Sequence, residues 1–286
     1  MIKTRWWHKE GEGARCGLCF RRCLISAGKM GYCGARRWDE GIFSFSSPWL
    51  GCFSSCAIDP IEKKPLYHWR PGSFIFSLGS LGCNMRCPFC QNHGIAQLAR
   101  AKSVPLVSIA PGELVNSIKK EGLTAVAFTY NEPTLQAEYI LEAAPLLKSE
   151  DIAIALVTNG MFSTEALDDL TPWIDATNVD VKTFNPVVYS ALGGSLDTVK
   201  ANIARLTQKG VHVELTNLVV PGISDSREDF IRMTDWIVGL SRELPLHISR
   251  YFPAHRYTAP PTDVGLMKTF ESIAKSKLKH VHLSNV

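Results

Sequence analysis

The stretch Ser73-Phe74-Ile75-Phe76-Ser77-Leu78-Gly79-Ser80-Leu81-Gly82-Cys83-Asn84-Met85-Arg86-Cys87-Pro88-Phe89-Cys90-Gln91-Asn92 joins a short apolar run to three cysteines. Phe74–Leu78 reads as a buried strand, and the glycine-flanked residues after it read as a loop. Cys83, Cys87 and Cys90 stand on that loop at the spacing C-x3-C-x2-C. An iron–sulfur cube normally takes four cysteine ligands, so three neighbouring thiolates leave one iron corner without a protein ligand. An open position is what separates a catalytic metal from a structural one. A zinc knuckle or a loop of unligated cysteines is the plainer alternative for the same residues.

Downstream, short apolar runs alternate with amphipathic segments. The pattern predicts strands at Phe74–Leu78, Ala125–Thr129, Ile152–Thr158, Ala176–Val181, Val211–Val220 and Leu246–Ser249. Helices are predicted at Pro111–Glu121, Thr134–Ser149, Thr164–Leu170, Ser195–Lys209, Arg227–Leu240 and about Asp263–Lys277, ahead of a short run His280–Leu283. Near-continuous apolar strands between helices imply a parallel sheet covered on one face by helices. The expected fold is α/β: a partial (β/α)6 TIM-like barrel, with its active groups at the C-terminal ends of the strands. Residues 1–72 are dense in cysteine and glycine and poor in helical period. They are expected to form a small cysteine-rich N-terminal module with a metal site, ahead of a core domain spanning residues 73–286.

Composition narrows the function classes. The chain has 286 residues, 45% hydrophobic and 20% charged, which is ordinary for a globular protein. Net charge is +4, and basic residues come in pairs rather than runs, so nucleic acid is not an expected partner. No apolar run approaches membrane-spanning length and the first residues lack a signal-peptide core. Nine cysteines in such a chain point to metal ligation in a reducing, cytoplasmic setting.

Polar residues mark the predicted strand ends. Glu132, in Thr129-Tyr130-Asn131-Glu132-Pro133-Thr134, sits where loops converge, and a carboxylate there suits an ammonium group. It would also serve as a plain helix N-terminal charge. Asn159, in Thr158-Asn159-Gly160, suits a ribose hydroxyl or a carboxylate, or is simply a turn residue. Asp180 and Lys182 share one side of their strand end, as a ligand-binding pair or a salt bridge. Glu214, Thr216 and Asn217 are candidate pocket-lining residues. His247 and Arg250 fall on opposite sides of a regular strand, so only one can face the pocket.

The cysteine loop, Asp59–His68, Thr129–Thr134 and His247-Ile248-Ser249-Arg250-Tyr251-Phe252-Pro253-Ala254 together resemble the radical S-adenosylmethionine (SAM) superfamily. They are similar to its pyruvate formate-lyase activating enzyme-like members, and nearest to the AmmeMemoRadiSam system proteins. The resemblance implies a [4Fe-4S] cluster on Cys83, Cys87 and Cys90 whose fourth iron binds SAM. It places Phe89 near the adenine, Glu132 on the SAM amino group, Asp180 and Lys182 at the methionine moiety or a nearby cation, and His247 in contact with SAM. Tyr130-Asn131 replaces the glycine pair of the family pattern, and His93 replaces a tryptophan. The partners it implies are a flavodoxin- or ferredoxin-type electron donor, and as substrate either a glycyl radical enzyme-like protein or a small molecule. A non-catalytic iron–sulfur or zinc protein is the remaining alternative.

A second cysteine set, Cys16, Cys19, Cys23 and Cys33, has the spacing C-x2-C-x3-C-x9-C. Four thiolates so close suit a closed site holding zinc, a single iron or an auxiliary four-iron cluster, and such a site would staple a small module. Four free thiols are the alternative. Cys52 and Cys56 read as small buried residues, or as partners of the N-terminal site or the active site.

Overall fold

The apolar runs become the strands of one sheet. A computed structural model describes residues 3–39, 42–45, 50–97 and 104–286. Its central sheet contains β1 (Ser55–Pro60), β2 (Phe74–Gly79), β3 (Ala125–Phe128), β4 (Ala153–Thr158), β5 (Ala176–Asp180), β6 (His212–Val219), β7 (Leu246–Arg250) and β8 (Val281–Ser284). They pair in chain order; β1 joins β2 antiparallel, and every later neighbour is parallel. Between parallel strands lie α1 (Pro111–Lys120), α2 (Ala137–Lys148), α3 (Thr164–Leu170), α4 (Leu196–Gln208), α5 (Arg227–Leu240) and α6 (Val264–Lys275). Sequential order with a helix in each connection is the partial TIM-like barrel that the pattern predicts. The run at the C-terminus supplies a further parallel strand, β8, and Ser55–Pro60 adds an antiparallel one that the sequence reading did not foresee.

Helix starts are set locally. Ser163, Ser195, Ser226 and Asp263 each accept a hydrogen bond from the backbone N–H three residues on, beginning α3, α4, α5 and α6.

The two faces of the sheet differ by strand period. Val126, Phe128, Ile154 and Leu156 pack in the core shared with Leu114, Ile118 and Ile140 of the helices. The other face carries Ala125, Ala127, Ala153, Ala155 and Ala176, small residues that leave room for Ile61 and Leu66. Both are fully buried, each contributing on the order of 2 kcal/mol by area removed from water. Segment 61–68 therefore fills the barrel from below.

At that base, Glu214 of β6 gathers four donors. Its carboxylate accepts from Tyr67 N (3.1 Å), His68 N (2.8 Å), His212 Nε2 (2.9 Å) and His247 Nε2 (2.6 Å). Burial opposes the charge, but the hydrogen bonds of His212 and His247 outweigh it and lower the Glu214 pKa to about 2.

Before β1 lie two three-stranded antiparallel sheets, Trp7–Glu10 with Gly13–Cys16 and Leu24–Ile25, and Lys29–Met30 with Arg36–Asp39 and Ile42–Phe45. They are tied to the barrel by backbone bonds from Phe20 N to Met161 O (3.2 Å) and Ser163 N to Leu18 O (3.0 Å). Arg36 adds a fully buried ion pair with Glu138 of α2. Among the described residues no helix is long and apolar enough to cross a membrane.

Candidate active site at the strand ends

The loops after the parallel strands enclose a cavity of about 250 Å³. Cys83, Cys87, Cys90, Phe89, Glu132, Asn159, Asp180 and Lys182 all line it, although they come from four separate loops or strand ends. The loop after each parallel strand lies at the same end of the sheet, so residues distant in sequence meet there.

The three cysteines are half-buried in the cavity wall. Desolvation pushes the Cys87 thiol up to about 11 and raises Cys83 and Cys90 as well, while the Lys182 charge opposes it at Cys87 and Cys90. Met85 N lies 3.4 Å and Asn159 Nδ2 3.6 Å from Cys83 Sγ. Soft thiols that ionise reluctantly by themselves are deprotonated when a metal replaces the proton. Asn84 Nδ2, on the same loop, is a buried donor without an acceptor. This donor set fits an iron–sulfur cluster held by three residues.

Glu132 is completely buried and caps the 3-10 turn Pro133–Gln136. Its Oε1 accepts from Thr134 N (3.0 Å), Thr134 Oγ1 and Thr158 Oγ1 (2.7 Å). Among the described residues Oε2 accepts only from Asn159 N (2.9 Å), which leaves it acceptor capacity toward the cavity. Burial raises the Glu132 pKa against these four neutral donors. The side chain thus caps the turn and also fronts the cavity.

Asn159 is a turn residue that also reaches the cysteine loop. Its Oδ1 accepts from Met161 N (3.1 Å) in a turn, and its Nδ2 donates to Asn84 Oδ1 (2.8 Å) on the cysteine loop. Asp180 and Lys182 form an ion pair at 2.8 Å. Burial disfavours the Lys182 charge, but Asp180 and Cys87 overcome it and raise its pKa.

His247 does not line the cavity. It faces the interior one layer below, bonded to Glu214, and Ser249, two residues on and on the same side of β7, takes the cavity position. Of the three candidates on β6, Thr216 lines the cavity; Glu214 belongs to the base, and Asn217 Nδ2 donates to Val181 O (2.8 Å). Arg250 Nε donates to Thr262 O (2.8 Å). Met85, Tyr130, Asn131 and Leu218 also line the cavity and were not singled out from sequence as lining it. Tyr130 and Asn131 were noted there only as departures from a glycine pair.

The N-terminal cysteines make a second buried set. Cys16, Cys19 and Cys33 are buried and Cys23 is half-buried. Desolvation raises Cys16 to about 11 and Cys19 to about 12, and each feels the charge of the other members of the set. Arg36 lies close enough to Cys16 and Cys33 to oppose that rise. Among the described residues no three histidine, cysteine, aspartate or glutamate side chains are drawn together tightly enough to grip a metal ion as they stand. This holds for the loop cysteines as it does for the N-terminal ones. Cys52 is half-buried and Cys56 exposed, and neither lines the cavity.

The family model of the radical SAM superfamily matches residues 78–237, from the last turn of β2 through most of α5. The chain belongs to the radical SAM superfamily. Over 290 residues it is 32% identical to an uncharacterized protein of Methanocaldococcus jannaschii, covering 100% of this chain and 86% of that one. Over 186 residues it is 24% identical to the pyruvate formate-lyase-activating enzyme of Streptococcus mutans, covering 59% of this chain and 68% of that one. The solved structure of Streptococcus suis SuiB bound to S-adenosylmethionine shares the fold, with a TM-score of 0.56 at 14% identity. That likeness covers 73% of this chain and 51% of SuiB. Membership makes this radical SAM protein an enzyme, activating-enzyme-like, and implies a [4Fe-4S] cluster and SAM.

Proposed function

We propose that this enzyme holds its [4Fe-4S] cluster on Cys83, Cys87 and Cys90 and seats SAM in the strand-end cavity. When loaded, the site would supply radical chemistry: one electron from the reduced cluster would break the sulfonium–C5' bond of SAM, release methionine and leave a 5'-deoxyadenosyl radical to take a hydrogen atom from substrate. The observation that carries this reading is the convergence of three loop cysteines, a buried carboxylate with unused acceptor capacity and a half-buried ion pair on one cavity. Glu132 Oε2 receives the SAM ammonium, Phe89 packs by the adenine, and Asn159 spans the cysteine loop and the nucleoside. Lys182, kept charged by Asp180, meets the methionine carboxylate. Burial of Glu132, Phe89 and Asn159, with Asp180 and Lys182 half-buried, strengthens the electrostatics of the site and limits water at the reacting carbon.

The substrate is read as a glycyl-radical-type protein segment presented at the barrel mouth, supported by the likeness to the activating enzyme. A flavodoxin- or ferredoxin-type protein is the electron donor. Cys16, Cys19, Cys23 and Cys33 hold a second metal centre, zinc or iron–sulfur, that staples the two small sheets ahead of β1. Three buried thiols and a half-buried one beside a buried arginine support it.

The test is anaerobic reconstitution with iron and sulfide, then dithionite and SAM. 5'-Deoxyadenosine is expected from wild type and none from Cys87→Ala. Cleavage of SAM by Cys87→Ala would sink the cluster assignment.

A further inference from the structure

Tyr130 stands in the wall of the cavity with φ +67°, a backbone region that a bulky side chain adopts only when its surroundings hold it there. Four contacts do so. The phenol donates to Asp59 Oδ2 at 2.6 Å, and Lys64 Nζ lies 4.4 Å from the ring centre. The ring edge lies over Gly79, where an added Cβ would come within 2.7 Å of Tyr130 Cδ2. The carbonyl accepts from Asn92 Nδ2 at 2.6 Å.

Asp59 and Lys64 are themselves buried, and Lys64 Nζ donates to Asp59 Oδ2 at 2.7 Å. Burial opposes the Asp59 charge, but the Lys64 and Tyr130 hydrogen bonds prevail and keep it ionised. Tyr130 is held neutral, its pKa pushed up to about 12 by burial and by Asp59. The left-handed turn at 130 has a direct consequence for its neighbours. Asn131 turns into the cysteine loop, accepting from Ser80 N (2.9 Å) and donating to Gly82 O (2.9 Å), and Glu132 faces the cavity.

We propose that Asp59 and Lys64 are positioning residues for the SAM site. They clamp the Tyr130 phenol, and the clamp fixes the left-handed backbone that aims Asn131 at the cysteine loop and Glu132 at the cofactor. A pair formed by Asp59 of β1 and Lys64 of the segment filling the barrel base thus reaches the active-site wall through one tyrosine. This rests on the reading of Glu132 as the SAM ammonium ligand.

The test is titration of the reduced, reconstituted cluster with SAM, followed by electron paramagnetic resonance, which reads binding without turnover. Tyr130→Phe keeps the ring and removes only the hydroxyl. It is expected to weaken SAM binding about tenfold, or about 1.4 kcal/mol, with iron content and helical circular dichroism unchanged. Asp59→Asn should do the same, and Gly79→Ala should match it by displacing the ring. In a Tyr130→Gly background, where glycine adopts the turn unaided, Asp59→Asn should have less than a twofold effect. Wild-type affinity in Tyr130→Phe and Asp59→Asn overturns the proposal. So does an Asp59→Asn effect that persists undiminished in Tyr130→Gly, which marks a merely structural role. A wild-type spectrum indifferent to SAM overturns the SAM-site reading and this inference with it; a responsive wild type with equally responsive variants overturns this inference alone.

Discussion

Glu132→Gln separates the two jobs of one carboxylate. Oε1 faces three donors, Thr134 N, Thr134 Oγ1 and Thr158 Oγ1, so the amide oxygen of a glutamine must take that side. The amide nitrogen then replaces Oε2. There it meets Asn159 N, 2.9 Å from Oε2 in the native site, donor against donor, and it offers an incoming ammonium a donor as well. A charge-assisted hydrogen bond contributes about 2 kcal/mol, so SAM affinity should fall by about thirtyfold. Stability should change far less. Losing one acceptor for Asn159 N costs about 1–2 kcal/mol, and part is offset because a carboxylate whose charge burial disfavours has been replaced by a neutral group. Paired measurements decide it: the SAM titration of the reduced cluster and a thermal melt of the same preparation. A thirtyfold loss of affinity with a melting shift of about 2–4 °C is expected. Unchanged SAM affinity in Glu132→Gln refutes the assignment of Oε2 as the ammonium acceptor.

Further outcomes follow from other parts of the molecule. Lys182→Met removes a cation beside Cys87 and Cys90 and should lower the midpoint potential of the reconstituted cluster by about 60 mV, a tenfold shift, measured by potentiometric titration. Cys33→Ala should remove metal from the N-terminal set and leave the loop cluster loaded, seen as a metal stoichiometry reduced at one site only. Breaking the buried pair with Arg36→Met should destabilise the fold by about 3–5 kcal/mol, read by chemical denaturation, because it strands Glu138 in the core. His68 and His282, with their Nε2 atoms 2.8 Å apart, both have lowered pKa values, first from burial and then, for His68, from His280, His247 and His212 and, for His282, from His247, His68 and His280, against the pull of Glu214. Their contribution to stability should therefore be full above about pH 6.5, where free histidine titrates. It should fade as pH drops through the lowered folded values, because the unfolded chain binds the extra protons. A melting temperature equally steep in pH for His68→Gln and wild type would count against that account.

The barrel was legible because its signals are local. Strand runs bounded by turn residues, and serines or aspartate three residues ahead of a helical N–H, fix elements without knowledge of their partners. The strand ends were legible for the same reason: Glu132, Asn159 and Asp180–Lys182 each close an apolar run. What sequence did not convey was height along the barrel axis. His247 and Ser249 share a face of β7, and period two cannot say which of them stands level with the cavity. Pairing register does not decide it either, since it sets His247 beside Thr216 and Ser249 beside Leu218, and both of those partners line the cavity; the bond to Glu214 holds the His247 ring at the base. The antiparallel β1 was equally hidden, because Ser55–Pro60 has no long apolar run and gains its place only by pairing with β2. Tyr130 stayed out of view because its partners, Asp59 and Lys64, lie some seventy residues earlier.

Two buried glutamates show how the molecule divides structure from chemistry. Glu214 and Glu132 each have four hydrogen-bond donors, and neither side chain is reached by solvent. Their acidities nonetheless move apart, down to about 2 at Glu214 and upward at Glu132. The donors explain the divergence. Two of those at Glu214 are imidazole nitrogens, whose hydrogen bonds outweigh the cost of burial. All four at Glu132 are neutral amides or hydroxyls, which satisfy geometry but leave the charge unbalanced. A carboxylate arranged in this way is stabilised by the arrival of a cation, and the side left open faces the cavity beside the cysteine loop. Carboxylates pushed in opposite directions by their surroundings mark different roles: Glu214 closes the barrel base, and Glu132 presents an unmatched carboxylate to the cavity, the feature on which the proposed ammonium site rests.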